Sequence, residues 1–162
     1  MQPLSIGISV LALFVSLGGV VWVQRRTDSR EYAKWRRDTL TKTAVDLIKL
    51  STQRSKYISS YITEFSSHKR FNKFDDQSGF MISTNSLLAT IEICEAEALY
   101  IEVQKIISLH RQSDDLVRRF ISDNATQMSP TIIDEIGNIL GYLNRVDTLH
   151  FSLILETKKA VQ

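Results

Sequence analysis

No proline occurs between Leu4 and Ser129. Proline lacks a backbone N–H and its ring clashes with the preceding turn, so its absence over such a length lets helices run long. Glycine is equally sparse: after Gly19 it occurs only at Gly79, Gly137 and Gly141. This punctuation predicts an all-α chain. Its expected parts are one N-terminal transmembrane helix and a cytosolic antiparallel bundle or coiled coil of three to four long helices.

The transmembrane expectation rests on Pro3–Val23, which contains no charged residue. At a rise of about 1.5 Å per residue this stretch reaches about 31 Å, the hydrocarbon thickness of a bilayer. No Lys or Arg precedes it and no A-x-A site follows it, which argues against a cleaved signal peptide. The next segment is basic. Over residues 25–42 there are seven Lys or Arg and three Asp or Glu, a net +4, whereas the remainder carries a net −2. The basic excess is therefore confined to the membrane flank and does not describe a nucleic-acid-binding domain. Cations beside a span are retained on the cytosolic side, so Arg25, Arg26 and Arg30 predict an external N-terminus and a cytosolic remainder in a cell (inner or plasma) membrane. Trp22 suits the inner headgroup level. The acceptor sequence Asn124-Ala125-Thr126 would then never meet the glycosylation machinery. The expected organisation is an anchor at 1–24, a basic juxtamembrane helix start at 25–42 and a helical bundle at 43–162.

Within the span, Ser5, Ser9, Ala12, Ser16 and Gly19 follow a 4-3-4-3 spacing. Small residues on one stripe let helix backbones approach closely where lipid offers no hydrophobic gain, so Ser9, Ala12, Ser16 and Gly19 are candidate packing residues in the membrane. Leu40 and Ala44 lie five heptads beyond Ser5 and Ser9, in phase with this stripe. A helix continuous from membrane to cytosol is consistent with that register.

Three further helical patterns follow. Leu40, Ala44, Leu47, Ser51, Ile58, Tyr61 and Phe65 form an a/d-like stripe, read here as interrupted at Arg54. Residues 66–79 read as a loop whose Phe71 and Phe74, with the neighbouring Phe80, either cap the end of a bundle or offer a partner-binding tip. Leu87, Leu88, Ile91, Cys94, Ala98, Ile101, Ile106 and Ile107 mark the next apolar face, with Ser113 able to cap a segment 114–122. Whether residues 80–123 make one helix or two is open at this level. The last helix is the clearest: Ser129 and Pro130 suit its start, and Ile132, Ile136, Ile139, Leu143, Val146, His150 and Leu153 form its face. Leu40, Leu47, Ile58, Leu87, Ile91, Ile101, Ile136 and Leu143 are the expected bundle core.

Chemistry is hard to find in this sequence. Cys94 is the sole cysteine, so no internal disulfide can form, and its apolar setting suits a buried small hydrophobe. Asp147-x-x-His150 and Glu64-x-x-x-His68 suit local helix charge pairs. The carboxylates of Glu92, Glu95 and Glu97 would spread around a helix as a solvated face. No phosphate-binding, dinucleotide-binding, nucleophile-elbow or zinc-protease motif is present. No catalytic residue, metal or cofactor is expected, and neither is a nucleic-acid or small-molecule partner. The expected partners are the lipid bilayer and either a second copy of the chain or a membrane-complex protein. Two functional classes result. One is a membrane-tethered scaffold that self-associates or serves as an accessory subunit. The other is a membrane-anchored sensor or effector, of a stress- or phage-response type, whose cytosolic helices signal through the span.

Overall fold

The computed structural model describes residues 2–68, 74, 78–123 and 132–162, with side chains over 23–65, 74, 79–123 and 132–162. The described residues form four helices and no strand: α1 (Gln2–His68), α2 (Ser78–Ile93), α3 (Glu97–Asp123) and α4 (Ile132–Ala160). The chain forms two compact units, Met1–Asp38 and Thr39–Gln162. Leu40, near the start of the second unit, is fully buried.

In the first unit, Arg25, Arg26 and Arg30 are exposed, and the rings of Tyr32 and Trp35 lie 5.7 Å apart. The side chains of Ser9, Ala12, Ser16, Gly19 and Trp22 lie outside the described residues. Among the described residues no helix is long and apolar enough to cross a membrane. Pro3–Val23 belongs to α1, but its side chains up to Trp22 lie outside the described residues.

The second unit is an up-down-up-down four-helix bundle. Ser51 meets His110, Arg54 meets Asp114 and Phe65 meets Phe120, so α1 and α3 run in the same direction. Phe80 of α2 lies against His110 while Leu88 and Ile91 pack near Leu99, which makes α2 antiparallel to α3. Val146 and Leu153 of α4 pack with Val103 and Ile106, whereas Ile139 and Leu143 pack with Val117 and Phe120, so α4 is antiparallel as well.

Heptad spacing builds the core. On α1 the buried Leu40, Ala44, Leu47, Ser51, Arg54, Ile58, Tyr61 and Phe65 form an unbroken 4-3-4-3 series, with Thr43 and Ile62 buried beside it. Arg54 therefore belongs to the stripe and does not interrupt it. Leu99, Val103, Ile106, His110, Ser113, Val117 and Phe120 of α3 follow the same rule. Of the expected core residues, Leu40, Leu47, Ile58, Ile91 and Leu143 are buried, and Leu87 and Ile136 are partly so. Ile101 is not a core residue: it is 48 % exposed, because it stands about 200° round the helix from Leu99.

α2 and α3 are separate helices, and the break falls at Cys94–Ala96. The Glu95 N–H donates to the Glu92 carbonyl at 2.9 Å and the Ala96 N–H to the Ile91 carbonyl at 3.3 Å, with Glu95 at φ 52°. That pair of bonds is a Schellman C-cap, and Ile91 and Ala96 bury together beneath it. The carboxylates at 92, 95 and 97 therefore flank a turn and do not decorate one helix. A left-handed residue with a side chain is strained, whereas glycine is not. Replacing Glu95 with Gly is expected to stabilise the bundle by about 0.5–1 kcal/mol, the strain relieved less glycine's added unfolded-state entropy, as read from the urea midpoint.

Ser113 does not cap a new helix. Its hydroxyl donates back to the Leu109 carbonyl at 2.8 Å, inside an α3 that continues to Asp123. Ser129 and Pro130, the expected start of α4, lie outside the described residues.

Candidate functional site

The apolar core forms two clusters. One is centred on Leu40, Leu47, Ile91, Val103 and Ile106, the other on Ile58, Phe65, Phe120 and Ile139. Between them, three helices place polar side chains at one level: Ser51 and Arg54 from α1, His110 and Asp114 from α3, and His150 from α4. All five are at most 8 % exposed, and Ser51, His110 and Asp114 are 0 % exposed.

The hydroxyl of Ser51 joins both histidines, 2.7 Å from His110 Nε2 and 2.8 Å from His150 Nε2. One hydroxyl has one proton to give, so it donates to one ring and accepts from the other. The surroundings decide which. His150 Nδ1 points toward Asp147 Oδ1 at 3.7 Å, which favours a proton on Nδ1 and a bare Nε2. Ser51 then donates to His150 and accepts from His110 Nε2–H. His110 Nδ1 is left as a bare lone pair with no hydrogen-bond partner among the described residues. The opposite assignment would bury an unpaired N–H there, the more costly error.

Burial drives the His110 pKa down to about 3, and the positive charge of Arg54 adds to the effect. Burial also lowers the pKa of His150, with Asp147 opposing. Both rings are neutral near pH 7.

The second half of the layer is an ion pair. Arg54 Nη2 donates to Asp114 Oδ1 at 2.9 Å, with side-chain exposures of 6 % and 0 %. Burial raises the Asp114 pKa to about 6, and the hydrogen bond and charge of Arg54 limit the rise. Asp114 Oδ2 has no hydrogen-bond partner among the described residues, so no second bond offsets the cost of burial. The guanidinium carbon lies 5.1 Å from the Tyr57 ring centroid and 5.2 Å from that of Phe74. Phe74 also packs edge-on against Tyr61 at 5.0 Å, and Phe80 edge-on against His110 at 4.9 Å. Phe74 and Phe80 thus face inward and wall the polar layer. Phe71 lies outside the described residues.

Ser51, Arg54, His110, Asp114 and His150 line none of the four surface hollows found among the described residues. Among the described residues no group of His, Cys, Asp and Glu could hold a metal ion. Cys94 is buried in the apolar core. The layer was only partly visible beforehand. The spacing puts His150 and Ser51 on their helices' core stripes, but it reads Arg54 as an interruption and sets Asp114 at the start of a separate segment 114–122. The usable signal is that polar residues occupy heptad core positions on three helices.

Compared with known proteins, the chain matches no family model, and no curated protein or solved structure is detectably similar to it.

Proposed function

We propose that this chain is a membrane-tethered helical interaction module. Residues 3–23 hold it in a cell membrane with its N-terminus outside, residues 25–162 are cytosolic, and the bundle binds a second copy of the chain or an accessory site on a larger membrane complex. The observation that carries this reading is α1 itself. One uninterrupted helix, Gln2–His68, bears the uncharged 21-residue stretch, the exposed Arg25, Arg26 and Arg30, and the bundle's core stripe. A helix with that order of segments fits a span, a cytosolic flank and a docking domain in sequence. The role is structural and requires no catalytic group.

Alkaline carbonate extraction tests the tether. The full chain is expected to stay in the membrane pellet, and a chain lacking residues 1–24 to move to the supernatant. Full-length protein in the supernatant would refute the tether. Within the membrane, replacing Ser16 and Gly19 with Ile is expected to weaken association; unchanged oligomer size would remove the small-residue stripe from the account.

A second reading is favoured by the buried polar layer. A sensor needs an element whose packing responds to a chemical change, and here three helices meet through two neutral histidines and a buried ion pair. This reading expects an expression phenotype, such as membrane depolarisation, that disappears when residues 1–24 are removed. A passive scaffold gives none.

A further inference from the structure

α4 carries a second apolar stripe that the bundle does not use. Ile133 is 78 % exposed, Phe151 71 %, Leu155 57 %, Ile154 40 % and Leu140 39 %. At 100° per residue these five lie within about 60° of one direction, away from the core residues Ile139, Val146 and Leu153, with Ile154 at the edge beside Leu143. Gly137 lies on the same face and Gly141 at its edge. A Cβ added at either would meet no atom within 4 Å. The glycines therefore serve no close approach inside the bundle, although they weaken the helix that bears them.

We propose that this face is a homodimer interface, in which α4 packs antiparallel against α4 of a second copy about a two-fold axis at Asn144. This deepens the self-association reading above and rests on it.

Self-complementarity identifies the occupant. With the axis at Asn144, Phe151 of each copy falls opposite Gly137 of the other, so the largest side chain of the stripe meets a position with no side chain. Ile133 falls opposite Leu155. Asn144 meets its own copy, where an amide offers one donor and one acceptor in each direction. Asp147 and Lys158 also lie on this face, and a polar residue placed on the axis fixes register in helical pairs. The charges agree. α4 has Asp134 and Glu135 in its first turn and Lys158 and Lys159 in its last. An antiparallel pair brings Lys158 of one copy within about one turn of Asp134 of the other, whereas a parallel pair would align like charges.

Cysteine cross-linking of the full-length chain tests the interface, both in native membranes and in mild detergent. The native Cys94 is buried and serves as background. Asn144→Cys is expected to give a covalent dimer under mild oxidation. Asn138→Cys, exposed but about 120° away round α4, is expected to give little. Adding Gly137→Leu to Asn144→Cys is expected to lower the yield roughly tenfold by filling the space for Phe151. The bundle is expected to keep its circular dichroism spectrum, since nothing occupies the space beside Gly137. Equal yields at 144 and 138, or a yield insensitive to Gly137→Leu, would overturn the proposal. Failure to cross-link in a chain still retained in the carbonate pellet refutes this interface and leaves the tether standing. Cross-linking at 144 in a chain lost from the pellet supports the interface and refutes the tether.

Discussion

Replacing Asp114 with alanine is expected to destabilise the bundle by about 3–5 kcal/mol, because it leaves the Arg54 guanidinium buried without its carboxylate. Asp114 is fully buried, and Arg54 is 6 % exposed between the Tyr57 and Phe74 rings. Neither charge can reach water without opening the bundle. Truncating one partner therefore costs far more than the pair itself is worth, since ionic attraction and desolvation nearly cancel in such pairs. The control is the double replacement Arg54→Met with Asp114→Leu, which removes both charges and keeps apolar volume. It is expected to recover most of the loss or to exceed the native stability. Urea unfolding of the full chain in mild detergent, followed by circular dichroism, reads both. A loss below about 1 kcal/mol in the single variant would mean that the pair is hydrated in solution.

Acidification is expected to destabilise the bundle through His110. In the folded protein this ring has a pKa of about 3, against an ordinary value of 6.5. A base whose folded pKa is depressed binds protons in the unfolded chain first. Its cost therefore begins as pH falls through 6.5 and grows until about pH 3. The loss amounts to roughly 2 kcal/mol at pH 5 and roughly 4–5 kcal/mol near pH 3. His150 acts in the same direction, because its pKa is also lowered. Asp114 acts in the opposite direction. Its folded pKa of about 6 lies above the ordinary 3.8, so it favours the folded state as pH falls through that window, by about 1 kcal/mol between pH 7 and 5. The His110 contribution is isolated by comparison with His110→Gln, which keeps a donor for Ser51 and cannot titrate. The stability of the native chain relative to that variant is expected to fall by about 2 kcal/mol from pH 7 to 5. A pH-independent difference would mean that His110 titrates normally.

These two predictions concern the part of the bundle that the sequence disclosed least. The helical faces were legible because burial in a bundle repeats every three or four residues, and Leu40, Leu47, Ile58 and Leu143 each lie on such a series. A periodic pattern records what one helix buries, not what its neighbours set at the same height. Arg54 looks like a defect on α1 until Asp114 is placed beside it from α3. Ser51 looks merely small until two histidines converge on its hydroxyl. The Cys94–Ala96 turn was illegible for another reason: glycine ordinarily signals a left-handed C-cap, and here the residue is Glu95. Ser113 misled because a serine before two aspartates resembles an N-cap, while its hydroxyl in fact bonds backward within α3. Ile101 misled because an apolar residue two places from Leu99 points the other way.

The polar layer and the outer face of α4 suggest a division of labour. The layer sets the register of three helices at some risk to stability, as a single polar position does in helical pairs. Pairing through the outer face of α4, as proposed, would leave that layer in place, since its only α4 member, His150, lies off that face. Both features gain biological sense if the bundle works beside a membrane, where tethering raises the local concentration of copies.

Protease digestion of sealed vesicles of opposite orientation tests that placement most directly. Inside-out vesicles expose the cytosolic surface, and the account predicts that the bundle, residues 39–162, is digested or released there while a short fragment containing residues 3–23 stays with the lipid. Right-side-out vesicles are expected to protect the bundle fully until detergent is added. Digestion of the bundle in right-side-out vesicles would contradict the orientation, and loss of the whole chain from the lipid before protease is added would contradict the tether.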